Sequence, residues 1–291
     1  MRFMGIIPQL VVNSIIAGAI YSMIALGFNM IYGATKFFNL AHGVMAAVGG
    51  YVVFFLTHSF GLSVWISVVI GVLAAGGFGV LTDVLVYQPL RRRQASQLIL
   101  LVASLGVFTV LQALIAMIFT SQFKTLSIGN GVQQTYNLFG GIITTTQIVL
   151  VLCAVGCTMG LLILLNKTRF GRAIKAVSDV EEVAKIVGIN TDRIIRWLFF
   201  IGSAIAGLGG ILVGYDTGIE PTMGMWLLMS GVVSGIIGGI GSIGGAFVGS
   251  FFLGFIENFG IWHISGEWKA AIVYTVLILF LIFRPRGIFK K

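Results

Sequence analysis

Nearly all of the chain consists of apolar runs about twenty residues long, separated by short polar segments. A run of this length crosses a bilayer as a helix, whereas a membrane-spanning strand would need only about ten residues of alternating polarity. The pattern predicts an all-α, polytopic transmembrane helical bundle with about nine spans, some of them interrupted; eight spans is the alternative. The predicted spans are Ile6–Tyr32, Phe37–Leu56, Leu62–Tyr87, Gln97–Phe119, Gln147–Leu165, Ile194–Gly214, Met223–Ile240, Gly244–Trp262 and Trp268–Phe283.

The composition excludes a soluble protein. Of the 291 residues, 58% are hydrophobic and only 9% are charged, whereas soluble domains carry about a quarter charged residues. Because the apolar runs take up most of the length, we expect residues 1–291 to form a single transmembrane domain without a sizeable soluble part.

The basic residues predict the orientation in the membrane. They cluster at Arg91–Arg93, in the Lys167–Arg196 segment, and at Arg284, Arg286, Lys290 and Lys291. Cytoplasmic loops are rich in Lys and Arg, and an even number of predicted spans separates successive clusters. We therefore expect the C-terminus in the cytoplasm, and the N-terminus and the Thr120–Thr146 loop outside. The net charge of +9 sits at the ends of spans, so it does not indicate nucleic-acid binding.

The segment 166–193 is expected to be a cytoplasmic loop with its own structure. Gly171–Val177 predicts one short helix, and Ser178-x-x-Glu181 predicts a capping box that begins a second helix, which Gly188 ends. A helix of this kind either lies in the lipid headgroups or docks in a groove of a partner protein. The acidic residues on its polar face favour docking. The apolar stripe consists of Ile174, Val177, Val180, Val183 or Ala184, and Val187.

Polar residues inside apolar spans are costly and often functional. Asn39, His42 and Gly43 lie in the sequence FNLAHG, where Asn39 could cap a helix that begins inside the membrane. The alternative for His42 is a packed, neutral histidine bonded to a carbonyl. Glu257 and Asn258 are candidates for the substrate pathway, or else a polar pair that holds helices together.

Enzymatic chemistry is not indicated. No set of residues has the spacing of a catalytic triad or a metal site, and no phosphate-binding loop with a Gly-Lys-Ser/Thr end is present. Gly239-x-Gly241-x-x-Gly244 lacks the strand–turn–helix context of a dinucleotide site. The four-residue spacing of Gly231, Gly235 and Gly239, repeated at Gly241, Gly245 and Gly249, indicates close helix packing, with a role in lining the pathway as the other interpretation.

Several motifs in order resemble the LivH-type permeases of branched-chain amino acid ABC importers. They are IAGAIYSMIALGFNMIYG (Ile16–Gly33), FNLAHG (Phe38–Gly43), VYQPLR (Val86–Arg91), FGRAIKA (Phe170–Ala176), VGIN (Val187–Asn190), GGIGSIGGAFVG (Gly238–Gly249), IEN (Ile256–Asn258) and FRPRGIF (Phe283–Phe289). The resemblance runs essentially from end to end.

The resemblance implies a place in a multi-subunit importer of a prokaryotic inner membrane. Such permeases pair with a second permease, commonly of the LivM type, and work with two cytoplasmic ABC ATPases and an external substrate-binding protein. No cofactor is expected in this chain, because ATP would bind to the ATPases. The family's ATPase-coupling motif Glu-x-Ala-x3-Gly corresponds to Glu182, Ala184 and Gly188, with Gly171, Arg172 and Ala173 in the preceding helix. The Leu-Pro of the longer motif is absent.

The implied function is the import of leucine, isoleucine and valine by ATP-driven alternating access. Many relatives have Glu after the His-Gly pair, where this chain has Val44. Another substrate, such as urea, a different amino acid or a sugar, therefore stays open. A stand-alone secondary transporter or a non-transporting scaffold are the alternatives from other classes.

Overall fold

The computed structural model describes residues 6–126, 134–138, 140–262, 265–284 and 287–289. Long helices dominate it, with one short hairpin. The helices are α1 (Ile7–Thr35), α2 (His42–Ser59), α3 (Val64–Thr82), α4 (Gln88–Arg92), α5 (Gln97–Phe119), α6 (Thr145–Lys167), α7 (Arg169–Asp179), α8 (Glu181–Ile186), α9 (Thr191–Asp216), α10 (Met223–Gly238), α11 (Ile243–Ile261) and α12 (Lys269–Phe283). The strands are β1 (Thr135–Leu138) and β2 (Gly141–Thr144), and a π-helical turn, Asp83–Tyr87, joins α3 to α4.

Each predicted span corresponds to one helix, and the bounds of α5 coincide with the prediction. Among the described residues, seven helical segments are long and apolar enough to cross a membrane. The helices α2 and α10 are not among them. The two histidines of α2 lower its hydropathy, and α10 has only 16 residues. The all-α polytopic class therefore agrees with the structure, whereas the count of nine spans is not confirmed.

The helices α1 and α9 form the centre of the bundle, and glycines allow them to approach their neighbours closely. A Cβ on Gly49 of α2 would lie 2.6 Å from the carbonyl oxygen of Gly207 in α9, and one on Gly27 of α1 would lie 2.5 Å from that of Gly202. Helices in a membrane associate through packing of this kind, because the hydrophobic effect does not drive them together in lipid. The small residues thus set the spacing of the core.

The predicted glycine stripes partly explain this packing. Gly231 faces Ile24 of α1, and a Cβ added to Gly249 would lie 2.7 Å from the backbone nitrogen of Gly238 in α10. Gly239 and Gly241 instead lie in the turn between α10 and α11, with φ of 107° and 84°. Left-handed backbone of this kind suits glycine, so these two glycines serve the turn and not a helix face.

The helices α3, α5, α6 and α12 lie at the periphery and expose large apolar side chains such as Trp65, Met117, Leu152 and Ile282. Exposed apolar surface of this extent suits lipid or a second membrane subunit. The chain is thus built as a buried centre within a ring of outward-facing helices.

The long loop between α5 and α6 contains an antiparallel hairpin, which the sequence does not predict. Thr135 pairs with Thr144 and Leu138 pairs with Gly141. The hairpin is held to α1 because the Gln9 side chain accepts from the N–H of Ile142 at 2.7 Å and donates to its carbonyl oxygen at 3.1 Å.

Residues 287–289 pack against the end of α10, next to the α10–α11 turn. The N–H of Ile288 donates to the carbonyl of Ile237 at 2.8 Å, and that of Phe289 donates to Gly238 at 3.1 Å. The basic residues Arg286, Lys290 and Lys291, on which part of the predicted orientation depends, lie outside the described residues.

Candidate functional site

The segment between α1 and α2 turns back into the protein before α2 begins. Asn39 and His42 are almost fully buried, and His42 contacts Ile24 of α1. Ile24 precedes the last residue of α1, Thr35, by eleven positions, which is roughly 16 Å at a rise of 1.5 Å per residue. The break therefore lies inside the bundle, where FNLAHG predicts an interrupted span.

Asn39 holds this segment in shape. Its Oδ1 accepts from the N–H of Ala41 and from the hydroxyl of Tyr87, both at 3.1 Å. Ser104 of α5 accepts from the N–H of Leu40 at 3.0 Å, so the buried backbone is paired. The expectation that Asn39 caps α2 is wrong: Ala41 is the N-cap, without a side-chain bond. Asn39 forms an Asx turn two positions earlier.

The ring of His42 is fully buried against α1. Its Nε2 lies 3.3 Å from the carbonyl oxygen of Ile24, and a Cβ on Gly27 would lie 2.7 Å from its Cε1. This geometry is that of the packing alternative. However, Nδ1 has no hydrogen-bond partner among the described residues. A role of His42 in the substrate pathway stays a prediction.

Gly43 places the first turn of α2 directly against the first turn of α10. A Cβ on Gly43 would overlap the carbonyl oxygen of Gly224, and a Cβ on Gly224 would lie 2.7 Å from that of Gly43. Two helix N-termini, each with a positive dipole end, therefore meet in the interior. The neighbouring Val44, at the position where a Glu is expected in relatives, is also fully buried.

Glu257 forms a second polar centre, on α11. Both of its carboxylate oxygens accept from the hydroxyl of Tyr21, at 2.9 and 2.7 Å. Its Oε1 also lies 2.7 Å from Nζ of Lys269, at the beginning of α12. A buried carboxylate needs this degree of pairing, because an isolated charge in the interior is strongly disfavoured.

Asn258 does not share this centre. Its side chain donates to the carbonyl of Gly254 on its own helix, at 2.9 Å. The structure thus separates the five predicted pathway residues: Asn39, His42 and Gly43 lie together at the start of α2, and Glu257 lies with Tyr21. Within the described residues, no hydrogen bond joins the two groups, and both adjoin α1.

The predicted coupling segment consists of α7 and α8. Thr168 caps α7 by accepting from the N–H of Gly171 at 2.9 Å, and Gly171 lies so close to the end of α6 that a Cβ would be 2.5 Å from Cα of Leu165. Arg172 is exposed and Ala173 is half-buried. The first short helix is therefore longer than the predicted Gly171–Val177 and is fixed to the bundle.

The predicted capping box at Ser178 and Glu181 is absent. Ser178 is still inside α7, Val180 is the N-cap of α8, and that cap has no side-chain bond. Burial of Ile174 and Val177 in the bundle keeps α7 helical through Asp179. Tertiary packing therefore overrides a locally plausible helix start.

Gly188 ends α8 as predicted. It has φ +85°, its N–H donates to Lys185 at 3.0 Å, and the N–H of Ile189 donates to Ala184 at 3.0 Å. These bonds form a Schellman motif. They fix the path of the chain after α8, although the Leu-Pro of the longer motif is absent.

The apolar stripe of the coupling segment divides into two parts. Ile174, Val177 and Ala184 are buried against the chain itself, whereas four apolar side chains on and beside α8 are exposed: Val180, Val183, Ile186 and Val187. Glu182 is exposed among them. A short helix with an exposed apolar face and a neighbouring carboxylate is suited to a protein groove.

A cavity of about 370 Å³ connects this segment with the α10–α11 turn. Asn29 of α1 closes one side of it, accepting from the N–H of Gly241 at 3.2 Å and donating to the carbonyl of Ser242 at 3.3 Å. Lys175 and Ser178 of α7 line the opposite side. A displacement of α7 would therefore act next to the turn that connects two central helices.

Sequence reasoning missed several polar partners. Asp83 is fully buried, and its Oδ1 lies 2.8 Å from Nη2 of Arg91. The sequence does not identify Tyr21 and Lys269 as partners of Glu257. Lys269 could have been found as a lysine next to an apolar span, whereas no local pattern distinguishes Tyr21.

Comparisons with known proteins find relatives that match along nearly the whole chain. Residues 10–281 match a family model described as branched-chain amino acid transport system, permease component. The chain is 32% identical to the high-affinity branched-chain amino acid transport system permease protein LivH of Salmonella typhimurium, over 97% of this chain and 95% of the relative. It is 33% identical to LivH of Escherichia coli K12 and 32% identical to BraD of Pseudomonas aeruginosa, each with the same coverages.

Proposed function

We propose, since this chain belongs to the family of permease components of branched-chain amino acid transport systems, that it is a permease subunit of an ABC importer for leucine, isoleucine and valine. The observation that carries this proposal is similarity along 97% of the chain to the LivH and BraD permeases. The family is one of transport proteins, and we assign no chemical step and no cofactor to this chain. ATP would be hydrolysed on partner subunits.

The chain is a multi-pass protein of the inner membrane, in keeping with its relatives and with the seven long apolar helices in the part of the chain that the structure describes. In our proposal the N-terminus lies outside and the C-terminus lies in the cytoplasm. The clusters at Arg91–Arg93 and Lys167–Arg196 support this orientation by their position between spans. The whole of residues 1–291 would act as one permease domain, with 166–193 as its cytoplasmic coupling loop.

The proposed partners are two ABC ATPases, a second permease of the LivM type and an external binding protein. The exposed apolar side chains around Glu182 support docking of α8 on an ATPase. The exposed faces of the peripheral helices offer surface for the second permease. Asn39, His42, Gly43, Glu257 and Asn258 are proposed to lie along or beside the substrate pathway.

Alternating access would follow from movement of α7. Nucleotide-driven closure of the ATPases would push α8, and Gly171 would transmit the movement, because it leaves no gap between α7 and α6. Substrate is pumped only if the outward-facing and inward-facing states differ in affinity or access. The 370 Å³ cavity lies between α7 and the α10–α11 turn, so a displacement of α7 would change the position of that turn and of the helices it joins.

Reconstitution of the complete importer tests this proposal. Proteoliposomes with ATP inside and the cognate binding protein outside are expected to accumulate labelled leucine, isoleucine and valine, but not urea or sugars. Vesicles loaded with a non-hydrolysable ATP analogue serve as the control. Accumulation by this chain alone without ATP would indicate a secondary carrier, and accumulation of only urea or a sugar would refute the substrate assignment.

A further inference from the structure

A cavity lies beside Glu257, between α10, α11 and the first turns of α12. Its volume is about 380 Å³, within the range of small-molecule sites of about 300–1,000 Å³. We call it the Glu257 cavity. Its walls include Glu257, Lys269, Trp226, Met229, Val273 and Tyr274.

Three charged residues line this cavity: Glu257 supplies a buried carboxylate, Lys269 a half-exposed ammonium group, and Glu267 an exposed carboxylate whose charge is screened by solvent. Glu257 is fully buried, and Tyr21 orients its carboxylate through a hydrogen bond of 2.7 Å. The Lys269 side chain is 47% exposed, although its Nζ lies 2.7 Å from Glu257 Oε1. A half-exposed lysine on a flexible stem can move while its charge stays solvated.

We propose that the Glu257 cavity binds the zwitterionic head of an α-amino acid. The Glu257 carboxylate binds the substrate ammonium group, and the Lys269 ammonium group moves to bind the substrate carboxylate. The aliphatic side chain of the substrate then contacts Trp226, Met229 and Val273. This inference rests on the proposed function, because it places the substrate of that importer.

Charge balance favours a zwitterion over a simple cation or anion. Insertion of a zwitterion between Glu257 and Lys269 replaces one ion pair by two, so neither of these two charges is left without a partner. An amine without a carboxylate would displace Lys269 and leave it only the exposed carboxylate of Glu267, which is worth little in solvent. An anion without an ammonium group would approach a buried carboxylate, which is unfavourable at low dielectric.

A purely structural ion pair explains the arrangement less well. A pair that served only to hold α11 against α12 would not need a cavity beside it. Apolar residues can often replace a buried pair without loss of stability, so stability alone does not require these charges. Here the buried carboxylate adjoins a cavity lined by apolar and aromatic side chains. Apolar walls with few convergent polar groups are typical of a ligand site.

The position of the cavity suits delivery from outside. It adjoins the beginning of α10, the last turns of α11 and the beginning of α12. In the proposed orientation these three helix ends face the external side, from which a binding protein releases substrate. The mouth is flanked by Trp226 and Tyr274, which are both partly exposed.

Protection of an introduced cysteine tests binding directly. Ala270 lines the cavity and is exposed. The two cysteines of the sequence, Cys153 and Cys157, are first replaced by serine, so that Ala270→Cys reports on occupancy in the purified complete importer. We expect L-leucine to slow modification by a charged methanethiosulfonate. The amine 3-methylbutylamine, which lacks the carboxylate, and 4-methylpentanoate, which lacks the ammonium group, should not protect at the same concentration.

Variants of Lys269 separate recognition from structure. In the Ala270→Cys background, Lys269→Met should raise the leucine concentration for half-maximal protection roughly tenfold or more, the effect of losing one charge-assisted hydrogen bond. Lys269→Arg should retain most of the protection. Lys124→Met is the matched control, because Lys124 lies over Phe54, outside the cavity, and we expect it to leave protection unchanged.

Three results would overturn the site. They are equal protection by all three compounds, no protection by leucine in an importer that transports it, and unchanged protection in Lys269→Met. Failure of the proposed function is distinguishable, because an importer that does not transport leucine, isoleucine or valine can be screened with the other amino acids. Protection by one of those, lost in Lys269→Met, would support the zwitterion site while refuting the substrate assignment.

Discussion

Gly171 is the position at which α7 crosses the end of α6, and its replacement by alanine tests whether this contact transmits movement. A Cβ would overlap the carbonyl oxygen of Leu164 and lie 2.5 Å from Cα of Leu165. Both are backbone atoms, so no change of rotamer relieves the overlap. The start of α7 must move by about 1 Å to restore an ordinary carbon–carbon contact of about 3.5 Å.

The energetic cost follows from two opposing effects. Overpacking at a close contact costs about 1–3 kcal/mol, and the higher helix propensity of alanine returns up to about 1 kcal/mol. We therefore expect Gly171→Ala to destabilise the permease by about 1–2 kcal/mol. The same substitution at Gly156 of α6 is the matched control, because a Cβ there meets no atom of this chain within 4 Å.

Two measurements on the complete importer check this prediction. The midpoint of thermal denaturation in detergent should fall in Gly171→Ala but not in Gly156→Ala. In proteoliposomes, leucine taken up per ATP hydrolysed should fall several-fold in Gly171→Ala alone, since a displaced α7 no longer carries the movement of α8 to the bundle. Identical behaviour of the two variants in both assays would refute the reasoning.

Three further predictions concern single contacts. Glu182→Lys reverses an exposed charge within the apolar face of α8 and should uncouple ATP hydrolysis from uptake while the protein still inserts; normal uptake in vesicles would contradict this. His42→Ala removes a buried ring that contacts Ile24 and should impair uptake without weakening co-purification of the ATPases, whereas unchanged substrate kinetics would reduce His42 to packing. Asp83→Asn leaves Arg91, whose side chain is 13% exposed, without its ion-pair partner. Asp83→Asn should destabilise the protein by about 3–5 kcal/mol, which is measured as a lower midpoint of thermal denaturation. The double variant Asp83→Leu/Arg91→Met should recover much of this stability. If the double variant is no more stable than Asp83→Asn, the unpaired Arg91 charge is not the cause.

Local sequence patterns predict the structure correctly where one physical effect dominates. The length of the apolar run predicts the bounds of α5, and the glycine at position 188, which adopts a left-handed conformation, predicts the end of α8. They failed where packing competed with local preference. Ser178 and Glu181 have the spacing of a capping box, but burial of Val177 keeps α7 helical beyond Ser178. The depth of the break before His42 was likewise not readable, because it depends on contacts between α1 and α2.

The sequence by itself determined that this is a helical membrane protein with an organised charged segment, because apolar length, charge placement and glycine spacing are local properties. It also marked Glu257 as a costly residue, since a carboxylate inside an apolar span needs a partner. Only the tertiary structure decided which partners it has: Tyr21 lies 236 positions away, and Lys269 belongs to the next helix. Pairing energies depend on distance in space, and helix packing alone sets that distance.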